Sequence, residues 1–271
     1  MSDRKRIDEY WEHPDTVSLL DKNLRALETG FVLEHLSTDD ELADFGCGDG
    51  ESTVHYAAKV KSVLALEHSN TLRAKAAQRF AEAGLENVTL VAGDALDLGG
   101  YEGTFSVAVT QRVVINFMTW QEQQRVIENV WKSLRPGGRY LMIENTFEGF
   151  DALNAARRDV DLPDIPIHDW HNHFLHLEKF LEFIDDKFVV ERTRTFNLYY
   201  LLTRVFMNMF ASFEGFGAAA VRDDIFEVAD AAARRLHETM GDRVRIELPR
   251  GDSFGPIQGF VLRRLSAPAA G

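Results

Sequence analysis

Asp44 is followed by three alternate glycines, Gly46, Gly48 and Gly50, in the string DFGCGDG. The run before them, ELADF, reads as a short strand, and ESTVHYAAKV after them reads as a helix. Bare backbone at a strand-to-helix turn lets an anionic or polar ligand approach amide groups that a side chain would cover. A nicotinamide fingerprint needs GxGxxG and an acidic residue about 20 positions on; here the third glycine comes one position early and an acid precedes the first. Two more carboxylates end the next two apolar runs: Glu67 closes SVLALE and Asp94 follows NVTLVAG. Taken singly, Asp44 can be a cap and the other two ordinary loop acids. Three acids at the carboxyl ends of three successive parallel strands, however, converge on one crevice, which is where open α/β sheets bind ligands.

A second group of chemical residues lies in HDWHNHFLH, which holds His168, His171, His173 and His176. Histidine titrates in the range a general base needs. His171 is the candidate base because Trp170 and Asn172 flank it, an apolar wall and a hydrogen-bonding partner for a polar substrate. A surface or capping role for each histidine, or a zinc site, remains open, although no cysteine joins them. Arg112, just past the fourth strand, and Arg204, after YYLLT, can each grip a carboxylate or phosphate through a guanidinium fork, or serve as structural ion-pair partners. Glu144 and Asn145 end the fifth strand and are expected to face the same crevice.

These residues need elements to position them. The segment 16–36 spaces Leu20, Leu24, Leu27 and Phe31 as an amphipathic helix ahead of the first strand. From 41 to 145 strands and helices alternate, with FSVAVTQ as the fourth strand and RYLMIEN as the fifth after a Pro-Gly-Gly turn. The rhythm breaks after Thr146, in a stretch with Pro163 and Pro166, and resumes helical spacing at LEKFLEFIDD. KFVVERTRTF and PIQGFVLRRL supply two last strands, separated by a helix whose face is marked by Ile225, Ala229, Ala232, Leu236 and Met240. The expected organisation is one domain with a helical lid at 1–40, a binding core at 41–145, insertions with a remaining core strand at 146–256, and a closing strand at 257–265.

Composition narrows the partners. Of 271 residues, 43 are acidic and 30 basic, a net charge of −13 that repels nucleic acid where no basic stripe overrides it. The single cysteine, Cys47, excludes an internal disulfide and a multi-cysteine metal site. The N-terminal segment lacks the apolar stretch of a secretory signal, and YYLLTRVFMNMF is far short of the roughly 20 residues that span a bilayer. A soluble, cytoplasmic protein without membrane or nucleic-acid partners is expected; oligomeric state is not legible.

The ordered set Asp44, Gly46, Gly48, Gly50, Glu67 and Asp94 resembles the DxGxGxG motif and downstream blocks of class I S-adenosylmethionine-dependent methyltransferases. That resemblance implies an α/β Rossmann-like sheet of seven strands, the last antiparallel, with helices on both faces and extra helical insertions. It implies S-adenosylmethionine as cofactor and S-adenosylhomocysteine as product, with Glu67 on the ribose hydroxyls and Asp94 on the adenine amino group. Tyr10, Cys47, His68, Ala95 and Gln111 complete the expected cofactor site, with no metal. Arg112, Glu144, Asn145, Trp170, Asn172, Tyr200 and Arg204 are expected on the acceptor side. The strings HDWHNHFL, FNLYYLLTRV and FGPIQGFVLRR resemble methyltransferases of surface-polysaccharide and small natural-product pathways. The implied activity is methyl transfer to an oxygen of a small polar metabolite such as a sugar or a phosphorylated or carboxylated intermediate; the alternatives are N-methylation and a SAM-binding protein that transfers nothing.

Overall fold

The computed structural model describes residues 3–16, 21–97, 99–167, 170–213, 223–241, 243–244 and 254–265. Leu20 and His168 lie outside the described residues. Seven strands form one sheet: β1 Glu41–Phe45, β2 Ser62–Glu67, β3 Val88–Ala92, β4 Phe105–Gln111, β5 Leu134–Asn145, β6 Phe188–Thr195 and β7 Ile257–Arg264. Their order is β3-β2-β1-β4-β5-β7-β6. The first five run parallel, and β7 lies antiparallel between β5 and β6. The switch in strand order between β1 and β4 opens a crevice at their carboxyl ends.

Helices flank the sheet: α1 Asp3–Glu12, α2 Lys22–Leu33, α3 Glu51–Ala57, α4 Asn70–Glu82, α5 Trp120–Ser133, α6 Phe147–Arg158, α7 Leu177–Ile184, α8 Asn197–Tyr200, α9 Met207–Phe213 and α10 Asp223–Met240. A π-helical turn, Leu201–Phe206, joins α8 to α9. One apolar cluster packs Leu24, Leu27 and Phe31 of α2 with Tyr56 of α3, Tyr199 of α8 and the strand faces of Val107 and Leu141. The other packs Val126, Ile127 and Val130 of α5 and Phe180 and Ile184 of α7 on the alternate residues Ala108, Tyr140 and Met142. The period-2 alternation along β4 and β5 therefore feeds both faces.

Local signals set the ends. The α2 helix is shorter than the 16–36 periodicity predicts because the Asp21 carboxylate accepts from the Leu24 amide at 2.9 Å and starts it there. Thr119 and Glu122 form a reciprocal capping box at the start of α5. One predicted face is corrected: α10 buries Ala233 and His237, whereas Leu236 and Met240 are 44% and 42% exposed. The buried stripe is displaced because α10 packs through Ala233, with His237 stacked on Phe196 of the segment before α8.

Candidate functional site

A cavity runs along the carboxyl edge of β3, β2, β1 and β4, lined by Asp94, Glu67, Gly46, Gly48, Gln111 and Arg112 among others. Of the sequence-predicted residues, Tyr10, Asp44, Cys47, His68, Ala95, His171 and Asn172 line it too.

The acids at the strand ends are held chiefly by nearby loop groups. Asp44 is buried and accepts from the Thr53 hydroxyl at 2.6 Å; burial pushes its carboxyl up to about 7. Glu67 bridges two loops, accepting from the Gly48 amide at 2.8 Å and the Ser69 amide at 2.7 Å. Burial raises its carboxyl above the ordinary range while those amides pull it down. Asp94 accepts from the Leu96 amide at 3.0 Å and pairs with Arg4 of α1 at 2.8 Å. Gly46 and Gly48 turn through φ of 71° and 60°, and a Cβ on Gly46 would stand 2.7 Å from Val113. That pins the glycine turn to the residues after β4. Gly50 caps α3 at φ 78° and is absent from the lining; a Cβ there would meet the Phe80 ring at 2.6 Å. The Cys47 thiol is pushed up by burial and by Asp44, Glu67 and Asp49, so it is a poor nucleophile.

The α1 helix closes one side of the cavity with Arg4, Ile7, Asp8, Tyr10 and Trp11. Its last residue, Glu12, accepts from the Asn70 and Thr71 amides at 2.7 and 3.2 Å, and the Trp11 carbonyl accepts from the Ser69 hydroxyl. Against α1 packs the turn at 170–173, anchored by the His173 amide to the Ile115 carbonyl and by Gln123 to the His173 carbonyl, both at 2.7 Å. Asn172 holds φ 65° there. Trp170 is outside the lining but lies tilted over His171 and meets Tyr10 edge-on, with the Arg6 guanidinium 4.3 Å over its ring. The histidines diverge: His173 is depressed by burial, and His176 precedes α7, 3.7 Å from Glu148. Among the described residues no cluster of three His, Cys, Asp or Glu side chains is arranged to hold a metal ion.

Besides Trp170, four residues expected on the acceptor side lie outside the lining. Glu144 is fully buried beneath the cavity and accepts from the amides of Val113, Val114 and Ile115 at 2.9, 2.9 and 3.3 Å; burial pushes its carboxyl up to about 7. It shapes the turn after β4 in place of facing a substrate. Asn145 is absent from the lining; its buried Oδ1 has no hydrogen-bond partner among the described residues. The Tyr200 ring fills the space where a Cβ on Gly255 would stand. Arg204 pairs with Asp21 and Asp230, the structural alternative for that residue.

Several lining residues were not among those expected from the sequence. Arg25 of α2 is 5% exposed and pairs with Glu51 and Asp49; Asn116 and Trp11 also line the cavity. Arg25, Glu28 and Thr29 form a polar stripe that is buried throughout. Helical spacing reveals that stripe but not what it faces.

Residues 42–138 match a family model described as a methyltransferase domain. The chain is 26% identical over 165 residues to the probable cobalt-precorrin-6B C(15)-methyltransferase (decarboxylating) of Methanothermobacter thermautotrophicus, covering 59% of this chain and 82% of that protein. It spans 44–59% of the length of seven other curated relatives. Among solved structures, the [4+2]-cyclase SpnF superposes with a TM-score of 0.56 at 19% identity, covering 88% of this chain and 80% of that one. The N-methyltransferase NodS of Bradyrhizobium japonicum, in complex with S-adenosyl-L-homocysteine, superposes with a TM-score of 0.53 at 17% identity, covering 72% and 90%. These likenesses to solved structures establish a shared fold.

Proposed function

We infer that this chain, a class I S-adenosylmethionine-dependent methyltransferase, moves the methyl group to an oxygen of a small polar metabolite. The observation that carries the reading is the cavity itself. Its Asp94, Glu67 and glycine-turn end fits a nucleoside and amino acid, and its other end holds Arg112, Asn116, His171 and Asn172. The residues fit S-adenosylmethionine on two grounds: bare backbone at Gly46 and Gly48, and an acidic edge that suits a ligand bearing ammonium and sulfonium charges.

When bound, S-adenosylmethionine supplies a methyl group on a positively charged sulfur that leaves as a neutral thioether. The chain's own task is positioning, since in-line transfer gains much of its rate from orientation. Glu67 would hold the ribose hydroxyls and Asp94 the adenine amino group. Arg25 stands at the glycine-turn end to meet the carboxylate. The α1 helix and the 170–173 turn act as a lid that excludes water. His171 accepts the proton of the acceptor hydroxyl, and Arg112 orients an anionic substituent if the acceptor carries one.

Among the described residues no helix is long and apolar enough to cross a membrane. Calorimetry with S-adenosylmethionine and S-adenosylhomocysteine, followed by transfer of labelled methyl into a metabolite extract, tests the reading. A labelled methyl ether or ester supports it. A labelled methylamine moves the activity to nitrogen, and cofactor binding without transfer to any metabolite leaves a binding protein.

A further inference from the structure

The α2 helix carries a buried carboxylate within its polar stripe. Glu28 is fully buried, between Leu27 and Thr29, which are also buried. Its oxygens are treated unequally. Oε2 accepts from the Gln111 amide at 2.5 Å and lies 3.4 Å from Arg112 Nε, whereas Oε1 has no hydrogen-bond partner among the described residues. Burial pushes the carboxyl above its ordinary range, against the pull of Arg112 and Gln111. Costs accumulate around it, for Arg112 adopts φ 56° and its Nε also lacks a hydrogen-bond partner. Unsatisfied polar atoms and left-handed backbone at a non-glycine residue concentrate at functional sites.

Two further observations say what this spot serves. Gln111 is clamped from both sides: its Nε2 donates to Glu28, and its Oε1 accepts from the Tyr56 hydroxyl at 3.0 Å, from α3 directly after the glycine turn. The strand order places Asp94, Glu67, the glycine turn and Gln111 in sequence along the edge. A nucleoside at the first two leaves the amino-acid head to extend past the glycine turn toward Gln111, which lines the cavity.

Resting on the cofactor assignment above, we propose that Glu28 is a positioning residue for the amino-acid head of S-adenosylmethionine. It acts through Gln111, whose amide it fixes; it touches no ligand itself.

The test compares two ligands by calorimetry: S-adenosylhomocysteine, and 5′-methylthioadenosine, which keeps the nucleoside and thioether but has no amino-acid head. Glu28→Leu is expected to weaken S-adenosylhomocysteine about 10-fold or more and to leave 5′-methylthioadenosine within about 2-fold, as one broken hydrogen-bond network would. Glu28→Gln, which can still accept from Gln111, recovers most of that loss, and Gln111→Leu reproduces it. Equal losses for both ligands, or undiminished S-adenosylhomocysteine binding, overturn the proposal. Should Glu28→Leu fail to fold, Glu28→Gln and Gln111→Leu decide it: a loss in Gln111→Leu confined to S-adenosylhomocysteine, with near-normal binding in Glu28→Gln, supports it, and any other pattern refutes it. Failure of the unaltered protein to bind either ligand would instead sink the cofactor assignment.

Discussion

From β3 to β1, the polar groups along the cavity find many of their partners close by in the chain. Asp94 and Glu67 each take an amide two residues on, and Glu67 reaches Gly48, nineteen residues back. At the β4 end the partners of Gln111 come from remote elements, Glu28 across 83 residues and Tyr56 across 55. A site built on loop amides depends on a short string of residues keeping its spacing. A site built on cross-element pairs depends on whole helices docking in register, which lets it be retuned by changes far from the cavity.

That contrast predicts separable losses. The largest is expected at His171, where His171→Ala should lower turnover about 10²- to 10⁴-fold for a hydroxyl acceptor while cofactor affinity stays near normal. Single-turnover kinetics beside calorimetry checks it, and an unchanged rate removes His171 from the chemistry. On the loop-built side, Glu67→Ala should weaken S-adenosylmethionine by about 1.5–3 kcal/mol, roughly 10- to 150-fold. Loss of turnover without loss of affinity there would dissolve the proposed division.

Glu144 lies between the two regimes and gives a pH test. Its carboxyl stays protonated in the folded protein up to about 7, against 4.5 for its reference value. Its contribution to stability is full below about pH 4.5, declines as pH rises toward 7, and is gone above. Glu144→Gln mimics the protonated acid, so the decline in unfolding free energy between about pH 5 and 7.5 should shrink by on the order of 1–3 kcal/mol. Denaturant titrations at several pH values measure this; an unaltered slope means that Glu144 is ionised in the fold. The smallest effect is expected from EDTA, which should leave methyl transfer unchanged because departure of a neutral thioether needs no Lewis acid. Loss restored by a divalent ion would contradict that expectation.

How much was legible in the sequence follows the same division. The alternate glycines, Glu67 and Asp94 announced a crevice because their types and spacing are themselves the structural requirement, and the seven strands followed from apolar runs and the Pro-Gly-Gly turn. Arg25 and Glu28 were not legible as site residues, since a polar stripe on a helix reads as solvent-facing until a strand end is known to cover it. Glu144 misled for a related reason. A carboxylate at the end of a strand points either into the crevice or under it, and only the three amides of the turn after β4 decide which. Tyr200 and Arg204 flank or sit within a π-helical turn whose altered period aims side chains where a 3.6-residue helix would not.

The position of β7 has a consequence for how the molecule is made. Strands β5 and β6 meet only through β7, the last of the seven in chain order. A nascent chain can therefore assemble its parallel strands early, yet it carries the raw edge of β5 and an unpaired β6 until Ile257–Arg264 emerge. At synthesis rates of about 5–20 residues per second, the interval between Asn145 and Ile257 lasts on the order of ten seconds. During that time an apolar strand edge is open to pairing with other chains. Yield on expression or refolding should thus fall steeply with chain concentration, and changes that weaken β7 should act through aggregation of late intermediates before they register in the activity of the molecules that finish.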